Sequence, residues 1–282
     1  VSAGNSITSA TFQGNISADA EQGNLPTPDY CFNITDKDET NKTASLASEG
    51  YNCYSGNSNG YETINDINIP SSIDGYKVTK INRNFLCADY DSNNYYCRSV
   101  IKANSVIIPN SVITIDSSAF QNSQLTKVSL SNSVATIKGQ AFYSNQLTSI
   151  TIPSSVTTIG YQAFAGNQLS HITVESNNNK YDSRNNCNAI VETSSNTIVL
   201  GGQNTIIPNS VTTIGENAFS DQQLTGITIP NSVITIGDSA FQNNQLTNIT
   251  IPDSVTTIGR WAFQYNQLTN ILIGNAVTTI GQ

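Results

Sequence analysis

Within one short phrase of this chain the apolar residues follow two different spacings, and the phrase itself recurs at a fixed step. In LTSITI, Leu147, Ile150 and Ile152 end in strict alternation, so Ile150 and Ile152 share a face while Ser149 and Thr151 point away. That predicts a short strand. Pro153 has no N–H to give to a ladder and ends it. Val156 and Ile159 then lie three apart, Gly160 permits a turn, and Ala163 with Phe164 bring apolar groups back to the interior.

The step is 22 residues, linking Ile108, Leu130, Ile152 and Val174, and again Ile207, Ile229, Ile251 and Ile273. Between Val174 and Ile207 it is 33, one repeat plus an insertion of 11. An opening unit with extra residues, IPSSIDGYKVTKINRNFL, starts at Ile69, and nine units are counted in all, the last cut short at Gln282. A fixed period of this length predicts a solenoid, in which no turn buries its apolar side alone but stacked turns do. The columns agree. Phe120, Phe142, Phe164, Phe219, Phe241 and Phe263 form one stack, each preceded by an alanine that leaves room for a neighbouring ring. Asn145, Asn167, Asn244 and Asn266 form a polar column, with Ser123 and Gln222 as departures, and an inward amide there would bond the backbone of adjacent turns.

The repeated LTxITIPxSVTTIGxxAF resembles the BspA-like leucine-rich repeats, found mostly on bacterial cell surfaces and in some parasitic protists. The resemblance covers residues 69–282. It implies a right-handed solenoid with a parallel sheet on one side and a role in adhesion or protein binding, and it carries over no catalytic residue. NKYDSRNNCNAIVETSSNTIVLGGQNTIIP resembles a variant unit of that family with a β-hairpin built in, and the Asn-rich turns at 177–179 and 194–196 fit it. The expected fold is therefore a leucine-rich-repeat solenoid of 22-residue units with short parallel β-strands and a small disulfide-bearing N-terminal cap. Residues 1–65 form the lead and cap, and residues 66–282 the solenoid, with the hairpin unit at about 175–206.

A cap is needed because the first turn would otherwise expose an apolar end and unpaired strand edges. The stretch from Tyr30, YCFNITDKDETNKTASLASEGYNCYSGN, has the look of a hairpin-bearing one. Eight of the twelve tyrosines lie before residue 98, where amphipathic rings suit the sealing of cap edges. Cys31 and Cys53 flank the cap, Cys87 and Cys97 bracket CADYDSNNYYC, and each pair closes a short loop as a disulfide candidate. Such bridges point to an oxidising compartment. Cys187 is left over, and the resemblance places it at a buried position.

Net charge is −8 and the pI about 4.5, which argues against nucleic acid and anionic membrane surfaces as partners. The acid is concentrated early, with 12 acidic and 6 basic side chains before residue 99 and 8 and 6 after it. No apolar run approaches the ~18 residues of a membrane span. The chain lacks methionine, so Val1 is read as a processed or trimmed start.

Little chemistry is offered. His171, the only histidine, occupies the outward x of LTxITI, where a solvated strand residue is expected rather than a base. Asp89, Asp91 and Asn93 begin a calcium-loop spacing but lack the glycine and glutamate that complete one. Asp36, Asp38 and Glu39 read as a solvated acidic turn, and the absence of C-x-x-C argues against zinc. No cofactor or metal is expected. Asn15, Asn33, Asn41 and Asn248 head glycosylation sequons, which matter only in a source that glycosylates asparagine.

What remains is surface. The outward strand positions Lys127, Ser129, Ser149, Thr151, His171, Thr173, Thr228, Asn248, Thr250 and Asn270 are small, polar and nearly uncharged, with Gly226 and Leu272 completing the set. They predict a flat, regular face suited to multipoint contact with a protein or glycan on a host or neighbouring cell. An extracellular or cell-surface, non-enzymatic adhesion or binding module is expected. Two alternatives are a structural spacer or assembly subunit presenting the N-terminal cap, self-associating through an open C-terminal edge where TTIGQ stops mid-unit, and ice or glycan binding by Thr151, Thr173, Thr228 and Thr250.

Overall fold

Each 22-residue step becomes one turn of a coil in the computed structural model, which describes residues 32–48, 64–91 and 96–282. A turn contributes three hydrogen-bonded segments. The first is the predicted strand: Ile64–Asn68, Ala103–Ile107 and Lys127–Ser129 pair in parallel, as do Ser149–Ile152 with His171–Val174 and Asn248–Ile251 with Asn270–Ile273. Ile150, Ile152, Ile172, Ile249 and Ile251 are buried while the residues between them are exposed, as the alternation requires.

The second segment was not anticipated as a strand. Thr136–Ile137 pairs in parallel with Thr114–Ile115 and Thr158–Ile159, and Thr213–Ile214, Thr235–Ile236, Thr257–Ile258 and Thr279–Ile280 continue the pattern. The turn expected at Gly160 follows it directly, Ala163 N–H donating to Gly160 O at 3.2 Å, while the Gly160 N–H donates to Ile137 O at 2.8 Å and prolongs the ladder up to that turn. A two-residue strand is too short for a period of two to register beside a Val-to-Ile spacing of three. Glycine is needed there because a Cβ on Gly160 would lie 2.5 Å from the backbone N of Gly139 in the neighbouring turn.

Two earlier turns carry side chains in this same column, and they pair. Asp116 accepts from Lys80 at 3.0 Å and Lys138 at 3.1 Å, so three turns are tied by charge. Burial opposes ionisation of Asp116, yet the two ammonium groups and the Ser117 N–H outweigh it and hold its pKa below the ordinary value. A depressed folded-state pKa gives stability that is present above the unfolded pKa and lost as pH falls through the folded one. Asp116→Asn is thus expected to lower the unfolding midpoint at pH 7 and to leave the difference from the parent protein shrinking as pH drops below the ordinary carboxylate range. A difference constant down to strongly acid pH would refute the assignment.

The third segment is the Phe turn. Phe142 N–H donates to Ala163 O and Phe241 N–H to Ala262 O, both at 2.8 Å. Inside, ring centroids step by 5.2 Å from Phe120 to Phe142 and 5.3 Å to Phe164, and by 5.1 and 5.3 Å along Phe219, Phe241 and Phe263.

At the head of the second ladder, Phe32–Asp38 and Thr43–Ser48 form an antiparallel hairpin, and the latter strand runs parallel to Tyr76–Ile81. Phe32, Ile34, Ala44 and Leu46 close the apolar end. Asp38 accepts from the N–H groups of Thr40 and Asn41 within the turn, and Glu39 pairs with Lys42 and accepts from the Tyr76 hydroxyl of the neighbouring strand. Cys87 is disulfide-bonded, and the antiparallel strands Cys87–Asp91 and Tyr96–Val100 place the Cys97 backbone on the facing strand. Cys31 and Cys53, the other expected pair, lie outside the described residues, as do the side chains of Asp89, Asp91 and Asn93.

The hairpin unit is a septum. Tyr181–Asp182, Ala189–Glu192 and Thr197–Gly201 form an antiparallel meander whose last strand pairs with Thr213–Ile214. Ile190 and Leu200 pack into the preceding core, whereas Ala189, Val191 and Ile198 pack into the following one. Side chains replace ladder acceptors at the join: Ile159 N–H donates to the Tyr181 hydroxyl at 3.3 Å, Ile172 N–H to Asn188 Oδ1 at 2.7 Å and Val174 N–H to Ser183 Oγ at 3.1 Å.

Candidate functional site

All ten sequence-derived face residues are exposed: Lys127, Ser129, Ser149, Thr151, His171, Thr173, Thr228, Asn248, Thr250 and Asn270. Register aligns them in two columns, Ser149 beside His171 and Thr151 beside Thr173, then Asn248 beside Asn270 and Thr250 beside Leu272. The Thr151 and Thr173 hydroxyls bond to each other at 3.0 Å. The columns also extend toward the N-terminus through Asp66, Ser105 and Lys127, and through Asn68, Ile107 and Ser129. These four added residues were missed, although the same alternation in INDIN and ANSVI carries the signal.

The face is not the continuous sheet that was expected. The ladder is cut into three pieces, and Gly226, Ile227 and Thr228 form no strand. One break lies between Lys127–Ser129 and Ser149–Ile152; the other follows His171–Val174, where the septum side chains Asn188 and Ser183 accept from the Ile172 and Val174 N–H groups. Beyond the break, Thr228, Asn248, Thr250 and Leu272 line one open groove of about 540 Å³. Its walls mix hydroxyl, amide and apolar groups, which suits adaptable polar contact and offers no paired acid and base.

His171 stands exposed on the face. Cys187 is buried, and burial pushes its thiol pKa up, as for an inert core cysteine. Among the described residues no three His, Cys, Asp or Glu side chains gather as metal ligands, and no helix is long and apolar enough to cross a membrane.

No curated protein matches the chain significantly in sequence. Solved structures do match in fold. A leucine-rich repeat protein from Eubacterium ventriosum is 20% identical, with a TM-score of 0.57 over 84% of this chain and 68% of that one. A leucine-rich repeat protein from Bacteroides ovatus is 18% identical, with a TM-score of 0.49 over 89% and 77% of the respective chains. For the pneumococcal vaccine antigen PcpA the figures are 19%, 0.47, 89% and 82%. The BspA type leucine rich repeat region matches in six copies over residues 92–198 and 201–282, the span that holds the stacked Phe and Asn columns, and the chain belongs to that family.

Proposed function

We propose that this protein is a non-enzymatic adhesion or protein-binding module, exported to the cell surface or the extracellular space, that engages a protein or glycan of a host or neighbouring cell through its long-strand face. The observation that carries this reading is the exposure, in register, of two columns of small polar residues with few charges, set on ladders in which Ile150, Ile152, Ile172, Ile249 and Ile251 are buried. A preorganised surface of that kind loses little side-chain entropy on binding. The disulfide at Cys87 supports an oxidising compartment. Ice binding is disfavoured, because Thr151 and Thr173 satisfy each other and the break after Thr173 limits the hydroxyl array there to two rungs.

The test is binding of the labelled protein to arrays of extracellular host proteins and glycans, with Thr151→Lys and Thr228→Lys combined. Both residues are exposed, so the fold is expected to keep its unfolding midpoint while saturable binding falls by about tenfold or more, as when bulky charge is set into a flat interface. Undiminished binding by the double variant would remove this face from consideration.

A further inference from the structure

The third side of the coil lacks one rung. In a regular turn three N–H groups reach the next turn: Gln140 donates to Tyr161 O at 2.8 Å, Phe142 to Ala163 O at 2.8 Å and Ser144 to Ala165 O at 2.9 Å. Left-handed residues cause this, since φ is 49° at Gln162 and 70° at Gly166, and 55° and 58° at Asn217 and Asp221, turning alternate amides the same way. The septum supplies no Phe turn between Phe164 and Phe219. Consequently the N–H groups of Gln162, Phe164 and Gly166 find no acceptor among the described residues. On the facing edge, among the described residues, nothing donates to the Glu216 carbonyl and only the Gln222 amide, at 3.4 Å, to the Ser220 carbonyl, while Ala218 O is taken by Gly201 N–H.

Between the edges lies a cleft of about 290 Å³, floored by Ile159, Phe164, Val199 and Leu200 and rimmed by Tyr161 and Glu216. Gln162 Nε2 spans it once, reaching Asn217 Oδ1 at 3.1 Å. Tyr161 is 54% exposed. Burial first, then the charges of Glu216 and Asp221, push its phenol pKa up, and burial followed by Asp221 does the same at Tyr143, so both carboxylates act across the cleft on the aromatic rim.

One edge is donors only and the other acceptors only, and this selects the occupant. An extended peptide shows N–H and C=O of the same residue to the same side, so half its groups would meet their own kind at each edge. A peptide copy of the missing turn would need two left-handed residues, which a free chain does not hold cheaply. An anion would suit the donors but face Glu216 and Asp221. A hydroxyl rotates and both donates and accepts.

We propose that this cleft binds one ring of a neutral glycan, its hydroxyls accepting from the Gln162 N–H and donating to the Glu216 carbonyl and carboxylate, with a C–H face of the sugar against Tyr161. The site lies on a different segment of the turn from the long-strand face and stands or falls apart from it.

Saturation-transfer NMR and calorimetry on the full chain, with glucose, galactose, mannose and N-acetylglucosamine and with N-acetylneuraminic acid as the acidic counterpart, test it. At least one neutral sugar is expected to saturate below about 50 mM, and bound sugar to slow hydrogen exchange at Gln162. Tyr161→Ala is expected to weaken binding about tenfold, or ~1.4 kcal/mol. Tyr161→Phe, which keeps the ring, should retain binding, and fluorescence of the single Trp261, two turns away, should not respond. The combined Thr151→Lys and Thr228→Lys variant should bind the sugar normally. No saturation by any neutral sugar, preference for the acidic one, indifference to Tyr161→Ala in a protein of unchanged unfolding midpoint, or capture of a peptide at these amides would overturn the proposal.

Discussion

Replacing Phe142 with alanine is expected to destabilise the protein by about 3–5 kcal/mol, the range for removing a fully buried phenylalanine. Its ring is enclosed between Phe120 and Phe164, with interplanar angles of 4° and 7°, and none of it reaches solvent. The neighbours cannot collapse into the space. Each is held at the level of its own turn by Phe120 N–H bonded to Ala141 O and Phe142 N–H bonded to Ala163 O, so a cavity persists and both ring stacks are lost together. Phe263 is the internal comparison, being half-buried with one stacked neighbour, Phe241 at 5.3 Å, and its truncation should cost less than half as much. Guanidinium unfolding of both variants against the parent protein measures the difference. Equal losses at the two positions would mean that the stack is not the source of the stability assigned to it.

The parts of this fold that were legible in the sequence share a property: they repeat in every turn. Ile150 and Ile152, Phe142 and Phe164, and Asn145 and Asn167 each recur at 22 residues, so a column is read many times and a single irregular turn does not hide it. The ten outward positions followed from that alternation. The second ladder was missed although it also repeats, because Thr158–Ile159 is two residues long and its strand character rests on hydrogen bonds to other turns rather than on a pattern within its own. The break in the face at 226–228 was missed for the opposite reason. LTGITIP at 224–230 follows the pattern of its counterparts, yet 226–228 pairs with neither neighbouring turn. The unpaired amides of Gln162, Phe164 and Gly166 are likewise a property of what does not follow them, which no local pattern encodes.

Asn167→Ala is expected to cost roughly 3–5 kcal/mol, from a side chain that packs little apolar surface. Its Nδ2 donates to Phe142 O at 2.9 Å and Phe164 O at 2.8 Å, and its Oδ1 accepts from Leu147 N–H at 3.0 Å, so one amide closes groups in two successive turns. The site is buried, water does not take the amide's place, and each orphaned group costs ~1–3 kcal/mol. The chain contains its own control. Where Ser123 and Gln222 replace the asparagine, the following residues Gln124 and Gln223 turn left-handed, at φ 62° and 56°, and Gln222 Oε1 has no partner among the described residues. The amide therefore sets the path of the chain into the next strand as well as bonding its neighbours. Asn167→Asp sharpens the test, because the carboxylate keeps the shape but faces two carbonyls. Burial and those carbonyls raise its pKa, so the loss should be greatest above that pKa and ease as pH falls through it. A cost below about 1 kcal/mol for Asn167→Ala, the net worth of one ordinary hydrogen bond, would show that the column reports the path of the chain without enforcing it.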